Sequence, residues 1–197
     1  MTVMPGSARI IPIRREGFAL NGVFATALFV FVEVMLFTGF ISAFVIVKNG
    51  VTPGMWPPPH QPRLSFERTA INTAALLASG VTLLLAHRAR RRRAPAERGL
   101  LTATLLLGIA FVVFQGLEWA ALLRQGLTVT SSLLGSFFYL IVGAHAVHAV
   151  AALAVLAVCW WQQRRGRLND SVFGGAQVFW YFVVLMWPVI WTLVYRS

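Results

Sequence analysis

The sequence predicts an all-α integral membrane protein with five transmembrane helices, and three observations carry that prediction. Of its 197 residues, 58% are hydrophobic and only 12% charged, whereas soluble domains run nearer half apolar and a quarter charged. Five apolar runs, near residues 19–47, 69–86, 99–123, 133–161 and 172–195, are long enough to cross a bilayer core, which takes ~20 helical residues. The alternation of barrel strands is absent, and a lipid-exposed backbone must satisfy its hydrogen bonds within each span, so the spans are expected to be helices.

The first run, which includes "FVFVEVMLFTGFISAF", is too long for a signal-peptide core of roughly 7–15 residues and reads as a retained helix. Residues 1–18 are expected to form a cytoplasmic segment, and residues 19–197 a single membrane domain. Orientation follows from the basic residues. Arg9, Arg14, Arg15, Arg88, Arg90, Arg91, Arg92, Arg93, Arg98, Arg164, Arg165 and Arg167, twelve of the 17, fall on one side of a five-span chain. The other side holds Lys48, Arg63, Arg68, Arg124 and Arg196. Positive charge concentrates in cytoplasmic loops, so the N-terminus is expected in the cytoplasm. The formal charge of +11 does not point to nucleic acid, because the arginines stand at the ends of apolar runs rather than on one soluble face. The run "RARRRRAPAER" is expected to meet anionic headgroups or a partner subunit.

Between the first two spans lies "TPGMWPPPHQPRL", with Pro53, Pro57, Pro58, Pro59 and Pro62. Prolines fix φ and stiffen an extended segment, so this stretch reads as a rigid strap over the outer face, with Trp56 at the interface. Cys159 is the single cysteine; it excludes an internal disulfide framework and any Cys-cluster metal site.

The polar residues inside the spans are few. Glu33 lies at the midpoint of the first run, where a charge costs at least ~3 kcal/mol. Its expected form is therefore protonated or hydrogen-bonded to a partner. His145 and His148, in "YLIVGAHAVHAVAAL", lie at the same depth in the fourth run, three residues apart and on one face. One acid and two bases thus occur at the midplane in separate helices. They can serve as polar glue between packed helices or as metal ligands. In the third run, Gln115 and Glu118 share a face of "FQGLEW"; Glu118 can snorkel to headgroups or pair with Arg124. The fifth run, "VFWYFVVLMWPVIWTLVY", carries an aromatic stripe and Pro188, which is expected to kink it. Phosphate loops, nucleophile elbows and paired-cysteine sites do not occur.

At these residues the chain resembles subunit III of the haem–copper oxygen reductases, the cytochrome c and quinol oxidase superfamily. The resemblance extends from about Gly22 to Tyr195. It rests on "VEVMLFTGFISAF", "WPPP" ahead of "INTAALLASGVTLLLA", "FQGLEW", "GSFFYLIVGAHAVHAV" and "FWYFVVLMW", in that order. It implies a five-helix form without the two N-terminal helices of longer relatives, set in a bacterial-type inner (plasma) membrane. It further implies two helix groups around a phospholipid-filled cleft, no metal or haem bound by this chain, and haem and copper in partner subunits. The implied partners are the catalytic subunit I, subunit II, membrane lipids and a larger respiratory supercomplex. The implied role is to stabilise subunit I and support proton uptake. By matching position, Glu33 corresponds to the family's buried carboxyl, Gln115 and Glu118 to its Q-x-x-E feature, and His145 and His148 to its paired histidines. Arg63 and Arg68 are candidates to grip lipid phosphate, with Trp56 and Trp180 as further lipid-binding candidates. Where the family usually carries a histidine and an aspartate in its last helix, this chain has Tyr181 and Val184.

Three other readings accompany this one. The resemblance also allows the accessory subunit of a nitric oxide reductase, and the residues alone allow a membrane metalloprotein built on His145, His148, Glu33 and Glu118. A proton-coupled carrier titrating at Glu33 is a third. The electron donor, quinol or cytochrome c, and the acceptor, oxygen or nitric oxide, are set by other chains.

Overall fold

The computed structural model describes residues 16–51, 56 and 66–195, with side chains from residue 22 in the first helix and residue 68 in the second. Five helices follow one another: α1 (Glu16–Gly50), α2 (Phe66–Arg91), α3 (Ala96–Arg124), α4 (Leu133–Arg164) and α5 (Asp170–Tyr195). All five are long and apolar enough to cross a membrane. The expected N-terminal arginines, the proline strap, Arg63 and Arg196 lie outside the described residues.

Each helix outruns its apolar run by a few residues, because polar end turns can continue a helix into the headgroup region. The extension is largest in α2, which continues through Arg88, Arg90 and Arg91. Most of the stretch 88–98 expected as a basic loop is thus helix, since α2 runs to Arg91 and α3 begins at Ala96. Arginine is a good helix former, and cations in a last turn oppose the negative end of the helix dipole.

Three helices end on the same hydrogen-bonded device. At α3 the amide of Leu127 donates to Leu122 O (3.0 Å) and that of Gly126 to Leu123 O (3.1 Å). At α4, Arg167 donates to Gln162 O and Gly166 to Gln163 O. At α2, Ala94 donates to Ala89 O and Arg93 to Arg90 O. These are Schellman closures, which need a left-handed residue just past the helix. Gly126 and Gly166 supply it without strain, whereas in α2 the position is taken by Arg93 at φ 52°. At the starts, Ser132 caps α4 by accepting from the Gly135 amide, and Asn169 Oδ1 accepts from Ser171 at α5.

α2 and α3 pack along their lengths as a hairpin. α5 touches α1, α2 and α4, while α1 reaches only α4 and α5. The helices form one connected bundle with a single buried core, because the buried face of α5 bridges the helices on either side of it. Its Trp180 and Trp187 are fully buried. Trp180 lies so close to Gly108 of α3 that a Cβ there would come within 2.8 Å of the indole ring. Small residues of this kind drive close helix packing where lipid and core are equally apolar. α1 is the outlier, with far less of its surface covered than any other helix.

Candidate functional site

Glu33 is midway along α1, and His148 is midway along α4. His148 Nδ1 lies 2.7 Å from Ala144 O, one turn back in its own helix. A carbonyl only accepts, so Nδ1 carries a hydrogen. The other ring nitrogen, Nε2, faces Glu33 Oε2 at 3.0 Å. The two approach as an acid–base pair, but the atoms are not aligned for a hydrogen bond, and Glu33 Oε2 is buried with no hydrogen-bond partner. An unpaired negative charge in the middle of the bundle would be costly in an apolar medium.

The surroundings are aromatic. Phe29 and Phe37 of α1 and Phe179 and Phe182 of α5 place their rings 5.7–6.3 Å from the His148 ring. Both partners are largely buried, with side chains 15% and 14% exposed. α1 is thus tied to α4 by a polar contact inside a phenylalanine cage.

His145 does not share this contact. Although it lies one turn away, it points into the bundle, where its ring stacks on Trp187 at 5.2 Å and meets the edge of Phe37. It is 1% exposed and borders a small cavity of about 130 Å³, beside Gln115 and Trp119. The two histidines share a helix but serve different neighbours. Among the described residues no three His, Cys, Asp or Glu side chains gather to hold a metal ion. With Glu33 and His148 turned on one another and His145 on an indole, these residues do not fit the metalloprotein reading.

Gln115 is buried and organises a second polar cluster. Its Nε2 donates to Tyr195 Oη of α5 (2.9 Å), and its Oε1 accepts from Asn72 Nδ2 of α2 (3.3 Å). Asn72 Nδ2 also donates to Phe111 O (3.2 Å). Three helices meet there. Glu118, one turn on, is only half-buried and lines the groove between α2 and α3 together with Arg68; no ion pair with Arg124 forms.

Trp180 corrects an expectation. It is fully buried and donates from Nε1 to Ser79 Oγ (3.1 Å), so it faces the core and not lipid. Trp56 is half-buried and packs edge-on against Phe44 of α1. Tyr181 lines an apolar groove between α1 and α5, and Val184 is buried against Gly80 of α2. An apolar contact thus fills the position where an aspartate was expected by resemblance.

Two features had no sequence signal. Asn72 and Tyr195 looked like ordinary residues of an apolar run. Arg90 was one arginine among six, yet it alone ties the helix ends together. Its guanidinium donates to Asp170 Oδ1 (2.7 Å), Glu97 Oε1 (2.8 Å) and Leu168 O (2.8 Å), joining α2, α3, the α4–α5 turn and α5.

Comparison with known proteins places this arrangement. A family model described as cytochrome c oxidase subunit III matches residues 15–197. The chain belongs to that family. Among curated relatives it is similar to cytochrome c oxidase subunit 3 of Gadus morhua (35% identical over 179 residues), Pelomedusa subrufa (32% over 176) and Oncorhynchus clarkii (34% over 180). Each match covers 85% of this chain and 66% of the relative, so the chain spans just under two thirds of the length of the relatives it matches. As a member of the subunit III family with five membrane-spanning helices, it is a multi-pass membrane protein. The matched region includes Glu33, Gln115, Glu118, His145 and His148.

Proposed function

We propose that the chain is a non-catalytic subunit III of a respiratory haem–copper oxidase. It stabilises the catalytic subunit and supports proton uptake during oxygen reduction. Haem and copper reside in the partner subunits, of which subunit I is the principal contact and subunit II a second. The N-terminus faces the cytoplasm of a bacterial-type plasma membrane, as the placement of arginines supports. Phospholipid fills part of the surface between these subunits.

The observation that carries this reading is the family match over nearly the whole chain. The chemistry of the interior agrees with a supporting role. Glu33 faces His148 at 3.0 Å across the α1–α4 seam, an acid–base contact that suits fastening α1 to the bundle. Gln115, with Asn72 and Tyr195, fastens α2, α3 and α5 in the same manner.

The test is purification from native membranes in a mild detergent, followed by absorption spectroscopy and mass spectrometry. Haem bands and a large multi-helix partner at fixed stoichiometry are expected, with oxygen consumption on supply of reduced donor. A chain that purifies alone and without haem overturns the proposal. A haem-containing partner that reduces nitric oxide but not oxygen transfers the chain to the nitric oxide reductase branch.

A further inference from the structure

His145 is 1% exposed, and both of its ring nitrogens are buried without a hydrogen-bond partner. A neutral imidazole carries one N–H donor and one acceptor, so two hydrogen-bonding functions stand unused on one residue. The ring borders the cavity of about 130 Å³ between α3 and α4, which Gln115, Gly116 and Trp119 line from the side of α3. Trp119 Nε1 is likewise buried without a partner. Gln115 spends one amide hydrogen on Tyr195 and accepts one bond from Asn72, which leaves it a second hydrogen and a second lone pair. Buried polar atoms left unpaired are costly. Here they gather around one open space near the midplane.

We propose that this cavity is a water site, in which ordered water joins His145 of α4 to Trp119 and Gln115 of α3. The chemistry of the lining selects the occupant. His145 needs a donor for one nitrogen and an acceptor for the other, and Trp119 needs an acceptor. Water supplies both functions from one small molecule. A metal ion could take a bare imidazole nitrogen but nothing from an indole N–H, and the described lining holds no other His, Cys, Asp or Glu. An apolar occupant would leave all of these groups unpaired. Liquid water takes ~30 Å³ per molecule, so the space admits more than one. The two histidines of α4 then act in parallel. His148 meets α1 directly through Glu33, and His145 meets α3 through water. The inference rests on the packing of the bundle and not on the oxidase reading.

The experiment is X-ray hydroxyl-radical labelling of the purified full-length chain, in whatever complex it is isolated, read by mass spectrometry. The radicals form from water in place, so an interior side chain is labelled only where water lies beside it. Trp187 and Trp180 give an internal comparison. Both are fully buried indoles of α5, and Trp187 borders the cavity whereas Trp180 does not. Wild type is expected to label Trp187 several times more than Trp180. His145→Phe keeps an aromatic ring against Trp187 but removes both water-binding nitrogens, and should bring the Trp187 yield down toward that of Trp180. It should also lower the melting temperature, because Trp119 and Gln115 lose their bridge to α4. Equal yields at Trp187 and Trp180 in wild type overturn the proposal without recourse to any variant. A Trp187 yield that survives His145→Phe overturns it as well. So does a His145→Phe protein that melts at or above wild type, the result expected of a dry cavity relieved of an unpaired imidazole.

Discussion

Two regions of the bundle solve the same problem, that of polar atoms away from water, in different ways. In the α2–α3–α5 core the two fully buried indoles have local, neutral partners. Trp187 Nε1 donates to Thr73 Oγ1 (2.8 Å), which itself donates to Thr69 O (2.7 Å). Trp180 Nε1 donates to Ser79 Oγ, which donates to Leu76 O. Each hydroxyl passes its own hydrogen back along its helix and receives one from a neighbour. At the α1–α4 seam a single acid–base pair spans two sparsely touching helices. The core is held by packing with hydrogen bonds in support, whereas the seam relies on one acid–base contact. Coverage explains the difference. α5 can bury whole indoles against α2 and α3, while α1 leaves most of its surface uncovered by the other helices and gains little from packing within the chain.

The comparison breaks most severely in the core. Trp180→Ala would empty an indole-sized volume over Gly108 and orphan Ser79, and should cost about 3–5 kcal/mol. The check is unfolding in a mild detergent; a loss below ~1 kcal/mol would show that α5 is not the hub. Next comes the seam. Glu33→Leu should cost about 1–3 kcal/mol, because His148 Nε2 is left buried without a partner. Glu33→Gln should be close to neutral, since an amide of the same shape can take the carboxyl's place beside Nε2 and donate to it. Cysteine labelling along α1 separates these outcomes: Leu should expose the α1 face toward α4, and Gln should not. If Leu and Gln behave alike, the contact holds nothing.

At the helix ends the effects are smaller. Arg90→Lys keeps the charge but gives up the fork that reaches Asp170, Glu97 and Leu168 at once. A loss of about 1 kcal/mol is expected, shrinking as salt rises because the cluster borders water. Thermal unfolding at low and high ionic strength reads it. A salt-independent loss would move Arg90 from the interface into the core. Smallest is Arg93→Gly, which should stabilise the α2–α3 turn by up to about 1 kcal/mol by removing a left-handed side-chain penalty. A loss of stability would mean that the Arg93 side chain matters more than its backbone.

Much of this was legible beforehand. Helix number and type followed from five apolar runs, since each has one physical solution in lipid. Glu33 and the histidine pair stood out because polar residues are costly at the midplane. Their matched depths made a meeting possible, but which histidine would meet Glu33 was hidden. Two residues three apart lie about 60° apart around a helix, so one can face α1 while the other faces α5. Trp180 was misread as lipid-facing for a similar reason. In a helix that is apolar all round, sequence carries no sign of which face is inside. Arg90 was hidden by its neighbours, because six arginines in one segment are chemically alike until the chain folds.

By itself, then, the sequence determined the number of helices, their approximate limits, the concentration of charge on one side and the depth of each polar residue. All of these depend on local composition and on the one-dimensional rise of a helix through lipid. Tertiary structure alone decided which faces meet. It placed α5 at the centre, turned His148 toward Glu33 and His145 toward Trp187, and gave Arg90 its three partners. Rotation about a helix axis leaves an apolar sequence pattern almost unchanged, and only packing against real neighbours fixes it.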